Sequence, residues 1–172
     1  MSLDVATLRK DFPVLHREAR GGHRLVYLDS AASSQTPRPV LDAMADYYER
    51  LRSNVERGVY AISEEATGRY EQARTRLASF VGAPSPAGVV FTRNVTEAIN
   101  LVAYSWVRRR LGPGDALLTT AMEHHANFVP WWHASQDRGF DLRVIPVRDD
   151  FSLDLEAART LLADGAVTFL AV

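Results

Sequence analysis

The sequence predicts an α/β fold built on a mostly parallel sheet flanked by helices, and two observations carry that expectation. Four short apolar runs of strand type occupy the second half of the 172 residues: VVFT at 89–92, ALLTT at 116–120, LRVIPV at 142–147 and VTFLAV at 167–172. Stretches with helical spacing of apolar residues separate them, at about 94–110, 127–138 and 154–164. The resulting order, strand, helix, strand, helix, strand, helix, strand, implies parallel strands with helices on both faces. In open sheets of this kind ligands sit beyond the C-terminal ends of the strands, so the loops opened by Thr92, Thr120 and Val147 are where chemistry is expected.

The first half reads differently. Residues 4–10 have the pattern of a short helix, and the Gly21, Gly22 pair then breaks the chain before the apolar run at 25–28. Residues 1–26 are therefore expected to form an arm. After the small and polar stretch DSAASSQTP, Pro37 and Pro39 suit a helix start, and Val40, Met44, Tyr47 and Leu51 follow at helical spacing. The polar loop SNVERGVYAI leads to a second amphipathic helix over 63–81, whose apolar positions are Ala66, Tyr70, Ala73, Leu77 and Phe80 and whose end is marked by Gly82 and Pro84.

Composition narrows the function classes. With 47% hydrophobic residues the chain can bury a core, and a formal charge of −1 leaves no electrostatic footprint for nucleic acid or an anionic membrane. No apolar run approaches the length that spans a bilayer, and the opening MSLDVATLRKDF lacks a signal-peptide pattern, so a cytoplasmic protein is expected. The sequence has no cysteine, which removes disulfides, thiolate metal sites and a thiol nucleophile from these residues. All but one of the 20 basic residues are arginine; the exception is Lys10. The basic run at 108–110 reads as a solvated cluster at a helix C-terminus.

Two loops carry candidate chemistry. The turn TRNVTEAINLVAYSW runs from a strand directly into an apolar helix, and a free helix N-terminus offers unpaired N–H groups that attract phosphate. Thr96 adds a hydroxyl. Asn94 and Glu97 also have the spacing of an ordinary reciprocal cap, and the two readings are compatible. The second loop, AMEHHANFVPWW at 121–132, sets Glu123, His124 and His125 side by side. Adjacent histidines diverge by about 100° on a helix and make a poor metal pair, and His133 is no better placed. Hydrogen-bonded structural histidines, or an imidazole lying flat on an aromatic ligand, remain. Trp131 and Trp132 read as core and helix-packing residues.

The segments YLDSAASSQTP at 27–37, NVERGVY at 54–60, FTRNVTEAINLVAYSW at 91–106, LGPGD at 111–115 and MEHHANFVPWW at 122–132 resemble, in order and spacing, the N-terminal half of a SUF-type cysteine desulfurase. That family belongs to the class V aminotransferase group of pyridoxal 5'-phosphate (PLP) enzymes. The resemblance implies fold type I, the aspartate aminotransferase-like architecture, with residues 27–172 as the N-terminal part of the PLP-binding large domain. It implies that His124 stacks on the pyridine ring and that the turn at Asn94, Val95 and Thr96 binds the phosphate. Where the family has Thr at the middle position this chain has Val95, which can offer only its backbone N–H. Ala32 and Arg57 match positions on the substrate side, although Glu56 replaces the histidine common before that arginine. The implied activity converts L-cysteine to L-alanine with an enzyme persulfide, in a homodimer that passes sulfur to an acceptor protein of the SUF system for iron–sulfur cluster assembly. The family's Schiff-base lysine and nucleophilic cysteine match nothing in these residues, Lys10 included, so the chain alone is expected to be inactive. A selenocysteine lyase or another class V member shares these motifs. A non-catalytic partner-binding module is the reading from a different class.

Overall fold

The computed structural model describes residues 3–172. The chain divides into two compact units, one up to Val89 and one from Val90 to Val172, each described by itself.

In the first unit, Asp4 caps helix α1 (Val5–Lys10) by accepting from the Thr7 amide. Helix α2 (Arg38–Asp46) starts at the proline pair and runs on as a π turn over Tyr47–Leu51, which delivers Leu51 to the interior. Helix α3 (Ala61–Phe80) begins two residues ahead of the expected start, because the Tyr60 carbonyl already accepts from the Ser63 and Glu64 amides. Of the apolar positions expected to face a core along this helix, Ala66 is buried, whereas Leu77 is exposed and Phe80 is 88% exposed.

The second unit holds the sheet. Strands β1 (Ala116–Thr120), β2 (Asp141–Ile145) and β3 (Val167–Leu170) are all parallel, in the order β2-β1-β3. All five residues of β1 are buried, as a strand covered on both faces and paired on both edges must be. The alternation of its side chains divides the core. Leu117 packs with Ala103, Val107, Trp131, Ala134 and Phe140 on one face, and Leu118 packs with Ile145 and Ala158 on the other. The first face is covered by one continuous helical rod, made of α4 (Val95–Val102), a π turn (Ala103–Val107) and α5 (Arg108–Arg110), together with α6 (Val129–Arg138). The second is covered by α7 (Leu155–Leu162), which Asp154 caps through the Glu156 and Ala157 amides.

Two expectations are corrected. VVFT at 89–92 is not a strand: Val89 has extended dihedrals, but an extended run becomes a strand only with a ladder partner, and none of the described strands pairs with it. Val90 and Phe91 are accordingly exposed. Trp132 is not a core residue. Trp131 points inward and is 2% exposed, while its neighbour, turned by about 100° around α6, stays at the surface against the His133 ring. The basic run at 108–110 does lie at a helix C-terminus, yet Arg108 is held by Asp137 and stacks over Tyr104 at 4.3 Å.

Beyond the end of α7, Arg143 on β2 makes a bidentate pair with Asp164 at 2.8 and 2.6 Å and donates to the Leu161 carbonyl. The Arg143 guanidinium, helped by the Ala166 amide, holds the Asp164 carboxyl at about 2, below its ordinary 3.8. A depressed carboxylate stabilises the fold above its unfolded pKa and ceases to do so as pH falls through the folded value. Wild type should therefore lose stability between about pH 4 and pH 2. Asp164→Asn should be less stable than wild type at pH 7 and show a shallower loss over that window, read by thermal unfolding at several pH values.

Candidate functional site

The turn from Thr92 into α4 is built by its own side chains. The Thr92 hydroxyl donates to the Asn94 carbonyl at 3.1 Å, and Asn94 Oδ1 accepts from the Glu97 amide at 2.9 Å. Glu97 returns to the Arg93 amide at 2.7 Å, one residue earlier than in the usual reciprocal cap, and also pairs with the Arg93 guanidinium. Those contacts hold the Glu97 carboxyl below its ordinary range. Once Glu97 and Ala98 have donated to Asn94, the Val95 and Thr96 amides are left without protein acceptors among the described residues. The Thr96 hydroxyl likewise makes no hydrogen bond within the described chain, and both residues are exposed. A cap and a free pair of donors coexist at one helix end.

The Glu-His-His loop follows β1. Glu123 Oε1 accepts from the Thr120 hydroxyl at 2.9 Å and Oε2 from the Asn127 side chain at 2.7 Å. His124 caps the 3-10 turn His125–Asn127: its Nδ1 accepts from the Ala126 amide at 3.1 Å, so the neutral ring carries its proton on Nε2. The His125 ring stands at 89° to it, with centroids 6.3 Å apart. A flat ligand can lie parallel to one of these rings and not to both.

The second unit brings three of the five expected residues together. His124 borders two cavities. One, of about 380 Å³, is also lined by Val95, Ile99, Asn127 and Val172. The other, of about 410 Å³, is also lined by Thr96, Asn100, Tyr104, Arg108, His125 and His133. The four-residue spacing of Thr96, Asn100, Tyr104 and Arg108 places them along one stripe of the helical rod, a polar line in an otherwise apolar helix that the sequence reading passed over. Among the described residues no group of three or more His, Asp or Glu is close enough to hold a metal ion. No described helix is long and apolar enough to cross a membrane.

Ala32 and Arg57 lie in the first unit. Ala32 sits in a turn whose Asp29 carbonyl accepts from the Ala32 and Ser33 amides, and Tyr27 closes it by donating to the Ser33 carbonyl. Arg57 is exposed at the tip of a pinned loop. The Ser63 hydroxyl donates to the Asn54 carbonyl, and the Glu56 amide donates to Thr67 Oγ1. Glu56 itself has φ 69°, a left-handed conformation uncommon for glutamate.

A family model described as aminotransferase class-V matches residues 26–171, and the chain belongs to that family. It is 49% identical over 170 residues to a probable cysteine desulfurase of Halobacterium salinarum, covering 99% of this chain and 41% of that relative. With a cysteine desulfurase of Cronobacter sakazakii it shares 46% identity over 172 residues, 100% of this chain and 42% of the other. Among solved structures, the apo cysteine desulfurase of Thermococcus onnurineus NA1 has a TM-score of 0.78 at 37% identity, over 93% of this chain and 38% of that one. The S-sulfonic acid form of the Escherichia coli cysteine desulfurase CsdA gives 0.78 at 34% identity, over 99% and 41%. The chain thus spans about 40% of the length of these relatives. Its fold is the N-terminal portion of the fold type I large domain, with a small parallel sheet flanked by helices.

Proposed function

We propose that this chain is the N-terminal part of a PLP-dependent cysteine desulfurase, contributing part of the phosphate cup and the ring-stacking face of the cofactor site. The observation that carries the reading is the pair of free amides at Val95 and Thr96, at the end of a helix whose first residue lines the same cavity as His124. That donor set fits a phosphate monoester: two N–H groups, one hydroxyl and the positive end of a helix dipole, with an imidazole beside them for an aromatic ring. Bound there, PLP supplies an electron sink for the α-amino acid. Val95 and Thr96 bind and orient the phosphate. His124 offers a flat face to the ring, and its Nδ1 is occupied by the Ala126 amide.

In the complete protein the proposed reaction moves the sulfur of L-cysteine to an enzyme thiol, leaving L-alanine and a persulfide for a SUF-type acceptor. The names of the relatives support this activity; a cytoplasmic homodimer is proposed with it. Residues 1–26 are proposed as an arm and 27–172 as part of the cofactor-binding large domain. Ala32 and Arg57 are proposed for the substrate side, where the loop of Arg57 presents a cation able to meet a carboxylate.

The 172 residues hold one lysine and no thiol. Incubated with PLP and L-cysteine, the purified chain should release no sulfide above free PLP, and borohydride reduction should leave no stoichiometric adduct. The complete protein should take up PLP and form alanine from L-cysteine. Turnover by the short chain with a stoichiometric adduct on Lys10 would overturn the reading.

A further inference from the structure

We propose that Glu123 and Asn127 are positioning residues for His124, a role that rests on the reading of His124 as the ring facing the cofactor. The His124 turn is held locally by three bonds: the Asn127 amide donates to the His124 carbonyl at 2.8 Å, the Phe128 amide to the His125 carbonyl at 3.2 Å, and the Ala126 amide to His124 Nδ1 at 3.1 Å. None of them reaches the sheet. The tie to the sheet is made by a chain of side chains running from the end of β1 to the interior of α6. The Thr120 hydroxyl donates to Glu123 Oε1 at 2.9 Å, Asn127 Nδ2 donates to Glu123 Oε2 at 2.7 Å, and the Trp131 indole N–H donates to Asn127 Oδ1 at 3.0 Å. Both ends of the chain are anchored in the core, since Thr120 and Trp131 are each 2% exposed.

The polarity of the chain is determined at every link. Trp131 can only donate, so Asn127 must turn its oxygen to the indole and its NH₂ to position 123, where an acceptor is required. Glutamate meets that need with one oxygen and accepts from Thr120 with the other. A carboxylate with two donors is also a stronger brace than a neutral pair. Residues 123 and 127 flank His124 on both sides, so the brace sets where its ring stands over the cavity shared with Val95.

The arrangement can be reversed by exchange. N127D alone faces one carboxylate with another and removes the donor. Combined with E123Q, it moves the donor to position 123 and the acceptor to position 127, and every bond of the chain, including those to Thr120 and Trp131, can be remade. The first readout is the pair of His124 ring-nitrogen resonances in this chain without cofactor. N127D is expected to shift them and to reduce the Nε2–H form, and the double variant to return them to wild-type values. In the complete protein N127D should bind PLP roughly tenfold more weakly, with recovery in the double variant. A folded N127D with wild-type His124 resonances overturns the proposal, as does a folded double variant that fails to restore them. If N127D does not fold, Glu123→Ala, which removes both acceptors, carries the comparison, and an unchanged His124 spectrum in that folded variant overturns it equally. Because the ring readout needs no cofactor, a complete wild-type protein that fails to bind PLP would remove the functional reading and leave the positioning result standing.

Discussion

Gly58→Ala should destabilise the first unit by roughly 2–4 kcal/mol. A methyl group at this position would overlap the Ser63 hydroxyl and Cβ and approach the Tyr60 ring to 2.8 Å. Ser63 cannot move aside cheaply, because it is fully buried in the first turn of α3 and its hydroxyl donates to the Asn54 carbonyl. Turning it away would leave that buried pair unmade. Gly58 follows Arg57 directly, so the same strain would displace the guanidinium proposed for the substrate side. Urea unfolding of the variant tests the size of the effect, and adding S63G should recover part of it by removing the obstructing side chain. A Gly58→Ala protein within about 0.5 kcal/mol of wild type would show that the loop is not packed as described.

The second large effect is expected at the histidine pair. In the complete protein His124→Ala should weaken PLP binding by about tenfold, the loss of one ring stacked on another, and His125→Ala should do much less. The perpendicular rings are the reason: a planar cofactor parallel to His124 meets His125 edge-on at best. Both side chains are exposed, so neither substitution leaves a core cavity that would blur the comparison. Equal losses of cofactor absorbance in the two variants would remove the assignment of roles within the pair.

Much of this architecture is legible in the residues. The rod over 95–110 follows from an Asn cap and an uninterrupted apolar pattern, and the three observed strands follow from short apolar runs separated by helices of crossover length. VVFT has the same composition as those strands but no ladder partner, and pairing is a property of distant segments that local composition does not encode. Phe80 shares helical spacing with the buried Ala66 and is still exposed, because periodicity marks one face of a helix without saying how far along it the neighbouring layer reaches, and Trp132 is exposed because it lies about 100° around α6 from the buried Trp131. The clustering of Val95, Thr96 and His124 follows from two loops that open at strand-type runs. The tautomer of His124 and its brace do not: they depend on which nitrogen meets Ala126 and which way the Asn127 amide faces. The loop around Arg57 shows the same limit, since Ser63 and Thr67 pin it from α3 across intervals with no pattern of their own.

The most direct test of the cofactor site is an amide and imidazole titration of the ¹⁵N-labelled chain with PLP. If Val95 and Thr96 hold the phosphate and His124 meets the ring, their amide and ring-nitrogen resonances should move together and saturate at one concentration, while inorganic phosphate should move the two amides and leave the His124 ring in place. Saturable shifts that bypass Val95 and Thr96, or binding confined to Lys10 through its amine, would contradict the account.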